Sequence, residues 1–346
     1  MMTASPVISR FVRAAAFVIG LVMISQRGGG AAEPLFLRDS ESCMGTKWHI
    51  ALYADDKSSA NLAFKLAWQE IHEIDSCLSN YSSDSELSKF CNTGPHTEFV
   101  ALSQHLWSVI RAAHDLSDES DGYFDVTVGP ISKLWRRARR EETLPDLDKL
   151  AAARNLVGYR LIKLGEDQNA RLTKAHMKID LGGIAKGYAV DRALAVLRGA
   201  GIKSALVNGG GDLAAMGGEW KNHAWTETWE VKLSGIKPKD PERSFELRNA
   251  ALATSGDAWQ HLEIDGKRYS HIIDPKTGIG STARRTVSVL APTCMQADSL
   301  ASALTLMPID AGLELVSSND GVEAQIVEAK DSQAEVHASA NFPKRK

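Results

Sequence analysis

The segment at residues 179–188 restricts the local fold more than any other part of the chain. It runs Ile-Asp-Leu-Gly-Gly-Ile-Ala-Lys-Gly-Tyr. This pattern predicts a strand over 177–181, a tight turn at Gly182-Gly183, and a helix from Ile184 to about Arg198. Free amides and the positive end of the dipole at such a helix start attract an anion, and Lys186 adds a cation. The segment matches neither GxGxxG nor a Walker A loop, so an ordinary tight turn is the alternative to a phosphate site.

Apolar periodicity predicts two further helices. A strand over 48–53 precedes a long helix that begins near Ser58 or Ser59. A second helix follows Ser103 and ends before Asp121-Gly122. The first helix carries an apolar stripe at steps of three and four, which we expect to be buried: Phe64, Ala67, Ile71, Ile74 and Leu78.

The second half of the chain mixes short strands with one more helix. We expect strands over 161–164 and 205–207, a hairpin that turns at Asp265-Gly266, a last helix over about 296–307, and closing strands near 325–327 and 335–338. Helices and strands neither alternate strictly nor form separate blocks. The sequence therefore predicts an α+β fold with a largely antiparallel sheet.

The first 32 residues have the layout of a secretory signal. Arg10 and Arg13 precede an apolar stretch at 14–24, and small residues follow. Because spanning a bilayer takes about 20 apolar residues, a cleaved signal is favoured over an N-terminal anchor in the inner membrane. Arg27 is unusual after a signal and keeps the anchor as an alternative. We expect an exported, periplasmic protein whose residues 33–346 form the functional domain, as two subdomains around one cleft.

Charge and cysteine usage exclude some classes of function. The formal net charge is -3, with short basic runs at 136–140 and 344–346. Nucleic acid is therefore not expected as a partner, and each run is interpreted as a solvated face without a role.

The four cysteines (Cys43, Cys77, Cys91 and Cys294) lack the paired spacing of a structural zinc site. One or two disulfides and buried free thiols are equally compatible with them.

Two segments could carry a metal and a base. Asp298 and Ser302 are one helical turn apart, and a carboxylate beside a hydroxyl suits Mg²⁺; a helix cap is the alternative for Asp298. His271 lies in an apolar strand that ends at a turn, where it is either a packed core residue or a general base. Asp274 either orients His271 or caps that turn.

Aromatic residues mark a fourth segment at 121–130. Tyr123 and Phe124 could flank a planar ring, although packing in a core is an equally simple role for them.

Taken together and in this order, these segments resemble the ApbE family of FAD:protein FMN transferases. The resemblance spans nearly all of the chain after the N-terminal signal and is carried by Met44-Gly45-Thr46, 78–81, 85–87, Tyr123-Phe124-Asp125 with Pro130, 180–191, 207–212, 253–257, 271–278 and Ala297-Asp298.

The resemblance implies an α+β fold related to the T-fold, with FAD in a central cleft and Mg²⁺ at its diphosphate. It implies flavin-nucleotide contacts from Met44, Tyr81, Tyr123, Phe124, Asp125, Asp180, Lys186 and Ile272. It assigns the metal to Asp298, the Ser302 hydroxyl and the Gly183 carbonyl, with the Ala301 carbonyl as a further candidate. It assigns catalysis to His271 as the base, with Lys186 and Asp274. The family commonly has Thr where this chain has Ser302, and the hydroxyl is retained.

The implied reaction is Mg²⁺-dependent cleavage of FAD, with transfer of FMN to a Thr or Ser of an acceptor flavoprotein and release of AMP. The acceptors known in the family are redox subunits of Nqr-type or Rnf-type complexes and a flavoprotein of nitrous-oxide reductase maturation. Two alternatives stay open from the sequence. One is an FAD pyrophosphatase that yields FMN and AMP, and the other is an exported flavin-binding protein without turnover.

Overall fold

The computed structural model describes residues 33–233, 243–256, 261–330 and 333–343. The predicted signal or anchor at 1–32 and the basic tail at 344–346 lie outside these ranges. From Pro34 to Lys346 the chain forms one compact unit. The division of that unit into two subdomains stays a prediction.

The described residues form the following helices and strands. The helices are α1 (Lys57–Leu78), α2 (Glu86–Thr93), α3 (Gln104–Glu119), α4 (Gly129–Glu141), α5 (Leu147–Arg154), α6 (Ala185–Gly199), α7 (Cys294–Leu306) and α8 (Ile309–Ser317). The strands are β1 (Leu35–Cys43), β2 (Thr46–Ala54), β3 (Val100–Ala101), β4 (Ile162–Leu164), β5 (Asn169–Leu172), β6 (Ser204–Gly209), β7 (Asp212–Met216), β8 (Trp220–Lys221), β9 (Ala224–Trp225), β10 (Trp229–Leu233), β11 (Arg243–Leu247), β12 (Ala251–Gly256), β13 (His261–Ile264), β14 (Lys267–Ser270), β15 (Arg285–Ala291), β16 (Glu323–Lys330) and β17 (Gln333–Ala338).

One antiparallel sheet organises the molecule. Within the described residues it has eight strands in the order β1-β2-β6-β7-β12-β15-β16-β17, and each neighbouring pair runs antiparallel. Alternation along β12 sends Ala251 and Ala253 to the large core and Leu252 to a second cluster on the other face. The predicted α+β class with a largely antiparallel sheet is confirmed.

Helix α1 forms where the sequence predicts it, with a different cap. Its N-cap is Asp56, whose carboxylate accepts from the amides of Ser58 and Ser59 at 2.7 and 2.9 Å. The expectation that a serine caps this helix is therefore wrong, because the preceding aspartate reaches both free amides. The predicted apolar stripe is buried from Phe64 to Leu78.

Helices α6 and α7 cross at backbone contact. A Cβ on Gly187 of α6 would lie 2.3 Å from the carbonyl oxygen of Cys294 at the start of α7. Asp191, one turn further along α6, accepts from the amides of Cys294 and Met295 at 2.7 and 2.8 Å. The carboxylate thus satisfies two free amides of α7 and locks the two helix starts together.

Helices α4 and α5 are absent from the sequence prediction, which treats 136–148 as a charged stretch. Their buried residues pack with the β13–β14 hairpin in a separate cluster: Ile131, Trp135, Ala138, Leu150, Ala153, Leu262 and Ile273. This cluster holds α4 opposite the start of α6. The hairpin itself turns at Asp265-Gly266 as predicted.

Three other expectations need correction. Residues 177–181 form no strand, since the Asp180 amide bonds to the Val126 carbonyl outside any sheet. The helix over 296–307 is not the last, because α8 follows it after Pro308. The four cysteines are free thiols, which favours the second of their two alternatives. Among the described residues, no helix is long and apolar enough to span a bilayer.

Candidate active site

A cleft of about 790 Å³ opens between the first turns of α6 and α7, helix α4, and the segment after β14. Twelve of the fourteen predicted site residues line it: Met44, Tyr81, Tyr123, Phe124, Asp125, Asp180, Gly183, Lys186, His271, Ile272, Asp298 and Ser302. Residues far apart in the chain therefore meet on one surface, as the sequence predicts for Lys186, His271 and Asp298.

Lys186 is the electrostatic centre of the cleft. Its ammonium group pairs with the Asp212 carboxylate and lies 3.8 Å from Asp298 Oδ2. Asp298 also accepts from the Gly187 amide at 3.1 Å. Both carboxylates are nearly buried, at 5% and 7% side-chain exposure, so bulk water screens the cluster weakly.

The charges of this cluster do not cancel. Two carboxylates face one ammonium group, which leaves one negative charge in excess when both carboxylates are ionised. Burial, and then the neighbouring Asp212, raise the pKa of Asp298 to about 7, against the opposing effect of Lys186 and the Gly187 amide. Burial alone would lower the pKa of Lys186, but Asp298 and Asp212 raise it, so the ammonium stays protonated. A second cation beside Asp298 would restore neutrality.

The amides at the start of α6 are less free than the sequence predicts. Those of Ile184 and Ala185 both donate to the Leu181 carbonyl, and that of Gly187 donates to Asp298. Attraction of an anion to this end of the cleft therefore depends chiefly on the Lys186 side chain.

The chemistry of the donor set fits Mg²⁺. Ser302 Oγ lies 2.8 Å from the point where a Cβ on Gly183 would sit, so the hydroxyl is adjacent to the Gly183 backbone. Across the described ranges no three His, Cys, Asp or Glu side chains converge as a metal cluster. Mg²⁺ needs few of these, because it binds through one or two carboxylates and completes its octahedron with water and phosphate. Ala301 does not line the cleft, and its carbonyl accepts from Thr305 Oγ1.

Asp180 and Tyr81 are joined by an arginine that the sequence interpretation leaves without a role. Arg136 donates to Asp180 Oδ2 at 2.6 Å, and its guanidinium lies 4.7 Å from the centre of the Tyr81 ring. Tyr81 is 80% exposed and stands at the mouth of the cleft. The expectation that the run at 136–140 is a solvated face is therefore wrong for Arg136 and Arg139, which both line the cleft. Their spacing of three places them on one side of α4.

Asp125 lines the cleft, but its carboxylate is already engaged. It accepts from the amide and hydroxyl of Thr127 at 2.8 and 2.6 Å and from the Tyr159 amide at 2.8 Å. These bonds tie the turn after Tyr123-Phe124 to the segment before β4. The contacts favour a positioning role for this side chain.

His271 and Asp274 differ in their relation to the cleft. His271 lines it, one residue past β14. Asp274 does not line it; its carboxylate accepts from the Lys276 amide at 2.8 Å and from Thr277 Oγ1 at 3.1 Å. These bonds favour the second of its two predicted roles, capping of the turn. The same turn places the Lys276 ammonium 3.9 Å from the centre of the Tyr123 ring.

Comparison with known proteins identifies this arrangement. The model of the ApbE family matches residues 44–326. The chain belongs to the ApbE family. A Vibrio cholerae protein named FAD:protein FMN transferase is 34% identical over 307 residues, covering 86% of this chain and 89% of that protein. A Haemophilus influenzae protein of the same name is 31% identical, covering 88% and 90%.

Solved ApbE structures share the fold. The flavin transferase ApbE from Vibrio cholerae superposes with a TM-score of 0.77 at 29% identity, covering 90% of this chain and 99% of that one. The predicted family, fold class and enzyme class, a transferase, are thereby confirmed.

Some residues of the ApbE cleft are missing from the predicted site. Asp212 belongs to the segments that resemble the family, but the Gly-rich run before it indicates only a turn. Asp212 can pair with Lys186 only because β6 and β7 are hydrogen-bonded to each other. Arg136 and Arg139 belong to a basic run at 136–140, which gives no sign that they line a cleft. Their position three apart, each directly after a buried residue (Trp135 and Ala138), is the signal that could have placed them on a helix facing a site.

Proposed function

We propose that this ApbE chain is a Mg²⁺-dependent FAD:protein FMN transferase. It would cleave FAD, link FMN by a phosphoester bond to a Thr or Ser of an acceptor flavoprotein, and release AMP. The observation that carries the proposal is that Lys186, Asp298 and His271 line one cleft whose walls also carry Tyr81 and Tyr123.

The inner end of the cleft suits the diphosphate of FAD. Lys186 offers a partly buried, protonated ammonium, held in place by Asp212 on one side and Asp298 on the other. A bound diphosphate would share this cation with the carboxylates. Fixed charges in a site that excludes water stabilise the charge that develops on phosphate oxygens during cleavage.

Asp298, the Ser302 hydroxyl and the Gly183 carbonyl would hold Mg²⁺. When bound, the ion would supply charge neutralisation on the phosphoryl oxygens and raise the leaving-group ability of AMP. The excess negative charge at Asp212 and Asp298 supports this assignment, since these carboxylates outnumber the ammonium group between them.

His271 would serve as the base for the acceptor. The hydroxyl of a Thr or Ser gives its proton to the imidazole, and its oxygen forms a bond to the phosphorus of the FMN half. The bond from that phosphorus to the bridging oxygen breaks, and AMP leaves with the electron pair. Water in place of the acceptor would give FMN and AMP instead.

The setting follows from the N-terminal segment. The predicted signal or anchor at 1–32 supports export to the periplasm, where acceptors would be redox subunits of Nqr-type or Rnf-type complexes or a flavoprotein of nitrous-oxide reductase maturation.

The test is incubation of the purified protein with FAD, Mg²⁺ and a candidate acceptor, followed by in-gel flavin fluorescence and AMP quantification. Transfer gives label and AMP in equal amounts, hydrolysis gives AMP without label, and neither product means binding alone. We expect His271→Ala to abolish label while FAD still binds. Undiminished labelling by that variant would refute the role of His271.

A further inference from the structure

A buried guanidinium nitrogen without a partner among the described residues belongs to an arginine in the wall of the cleft. Arg139 Nη1 is buried and has no hydrogen-bond partner among the described residues. Its neighbour Arg136, one turn earlier on α4, is paired with Asp180. Burial, and then the nearby charge of Arg136, lower the pKa of Arg139, which indicates that its charged form is poorly compensated.

An uncompensated cation of this kind favours an anionic ligand. A buried donor left without an acceptor destabilises the folded protein, and more so when the group is charged. Guanidinium groups pair with carboxylates and phosphates through two parallel hydrogen bonds. Exposed Lys133 and Arg140 add positive charge to the same helix.

We propose that Arg139, supported by Arg136, forms a second oxyanion site at the Tyr81 side of the cleft, and that this site takes an Asp or Glu side chain of the acceptor protein. The assignment of the acceptor rests on the proposed function. The site would orient the segment that carries the reacting hydroxyl.

The chemistry of FAD argues that the anion comes from the other reactant. The anionic groups of FAD at neutral pH are the two phosphates of its bridge, and these are accounted for at Lys186. Arg139 instead lines the cleft together with Tyr81, which is 80% exposed and would meet an entering protein segment. An acidic acceptor segment is therefore the ligand that matches both the charge and the position.

The experiment measures peptide binding and needs no turnover. Two synthetic peptides serve as probes: a serine flanked on both sides by Asp and Glu, and the same peptide with Asn and Gln. Their affinities for the full protein with saturating FAD are determined by isothermal titration calorimetry at low salt. The variants are Arg139→Gln, the charge-preserving Arg139→Lys, and the control Arg137→Gln. Arg137 belongs to the same run but is 63% exposed and paired with Glu141.

We expect the acidic peptide to bind about ten-fold more tightly than the neutral one, a typical size for a partly buried charge pair. Arg139→Gln should remove this preference, Arg139→Lys should retain part of it, and Arg137→Gln should leave it intact. Thermal unfolding of Arg139→Gln should match or exceed that of the unchanged protein, because the guanidinium nitrogen it removes is unpaired.

Three results would overturn the proposal: equal binding of both peptides, a preference that persists in Arg139→Gln, or a loss of FAD affinity in that variant, which would assign the anion to the nucleotide. Failure of the proposed function is a separate outcome. A chain that discriminates the peptides but never labels an acceptor keeps this site and loses the transferase assignment.

Discussion

Gly187→Ala is the smallest change that should damage both the fold and the site. In this position of α6 a Cβ would lie 2.3 Å from the Cys294 carbonyl oxygen, 2.6 Å from its carbon and 2.8 Å from Met295 Cα. Ordinary contact begins at 3.4 Å, so the starts of α6 and α7 would have to separate by about 1 Å. All three atoms belong to backbone, and no side-chain rotation can relieve the overlap.

The expected cost follows from this displacement. Overpacking of a close-packed interior typically costs 1–3 kcal/mol, and the rigid neighbours here place the effect near the upper end, about 3 kcal/mol. The same separation weakens the bond from the Gly187 amide to Asp298 and moves Lys186 relative to that carboxylate. A misplacement of about 1 Å can lower a rate by about 100-fold, so FAD turnover should fall by roughly 10- to 100-fold.

The same helix provides a matched control. Gly199 is the last residue of α6, and a Cβ there meets nothing within 4 Å. Gly199→Ala should leave the free energy of unfolding unchanged or raise it by up to about 1 kcal/mol, because alanine loses less conformational entropy. Urea denaturation gives the free energy of unfolding of both variants, and AMP release gives the rate.

The close backbone crossing of α6 and α7 predicts that Gly187→Ala lowers the free energy of unfolding, whereas Gly199→Ala leaves it unchanged or raises it. If Gly187→Ala proved as stable and as active as Gly199→Ala, the close approach of α6 and α7 would be refuted, together with the geometry of the Lys186 cluster.

Two further predictions concern buried carboxylates. Burial raises the pKa of Asp191 to about 6, despite its bonds to the Cys294 and Met295 amides. The folded state therefore holds the proton of this carboxyl more tightly than the unfolded chain does. The resulting stabilisation is present below about pH 4 and is lost as the pH rises through about 6. The unfolding free energy relative to Asp191→Asn should therefore fall by about 2.4 kcal/mol between pH 4 and pH 7 in urea titrations, and a flat difference would contradict the assignment. Asp125→Asn removes an acceptor from the Thr127 and Tyr159 donors and should cost about 1–3 kcal/mol of stability by the same assay; because the carboxylate positions the aromatic turn, its KM for FAD should rise more than its kcat falls.

Local patterns predict the parts of this fold that local forces determine. The stripe of α1 and the cap at Ser103 depend on residues within a turn or two, and both are present. The turn at Asp265-Gly266 likewise needs only the positive φ that its two residues adopt. These elements are predictable because the residues that determine each of them lie close together in the sequence.

Features that depend on distant partners escaped prediction. The segment at 177–181 has strand-like composition, but its neighbour is Val126 and no ladder forms. The sequence does not reveal helix α4, because its arginines suggest a solvated segment. Arg136 and Arg139 in fact face the cleft rather than bulk solvent. Asp212 reaches Lys186 only after β6 and β7 have paired. Family resemblance selected residues that mostly line one cleft, whereas Asp212, Arg136 and Arg139 join them only through the fold.

The most direct measurement compares FAD with riboflavin, which lacks the diphosphate. Equilibrium binding of both ligands is followed by flavin fluorescence in the His271→Ala background, so that no turnover intervenes, with and without Mg²⁺ and with and without Lys186→Met. The account predicts that FAD binds far more tightly than riboflavin, that Mg²⁺ enlarges this difference, and that Lys186→Met removes most of it. Equal affinity for the two ligands, or an FAD preference that survives loss of Lys186, would contradict the claim that the Lys186 cluster binds the diphosphate.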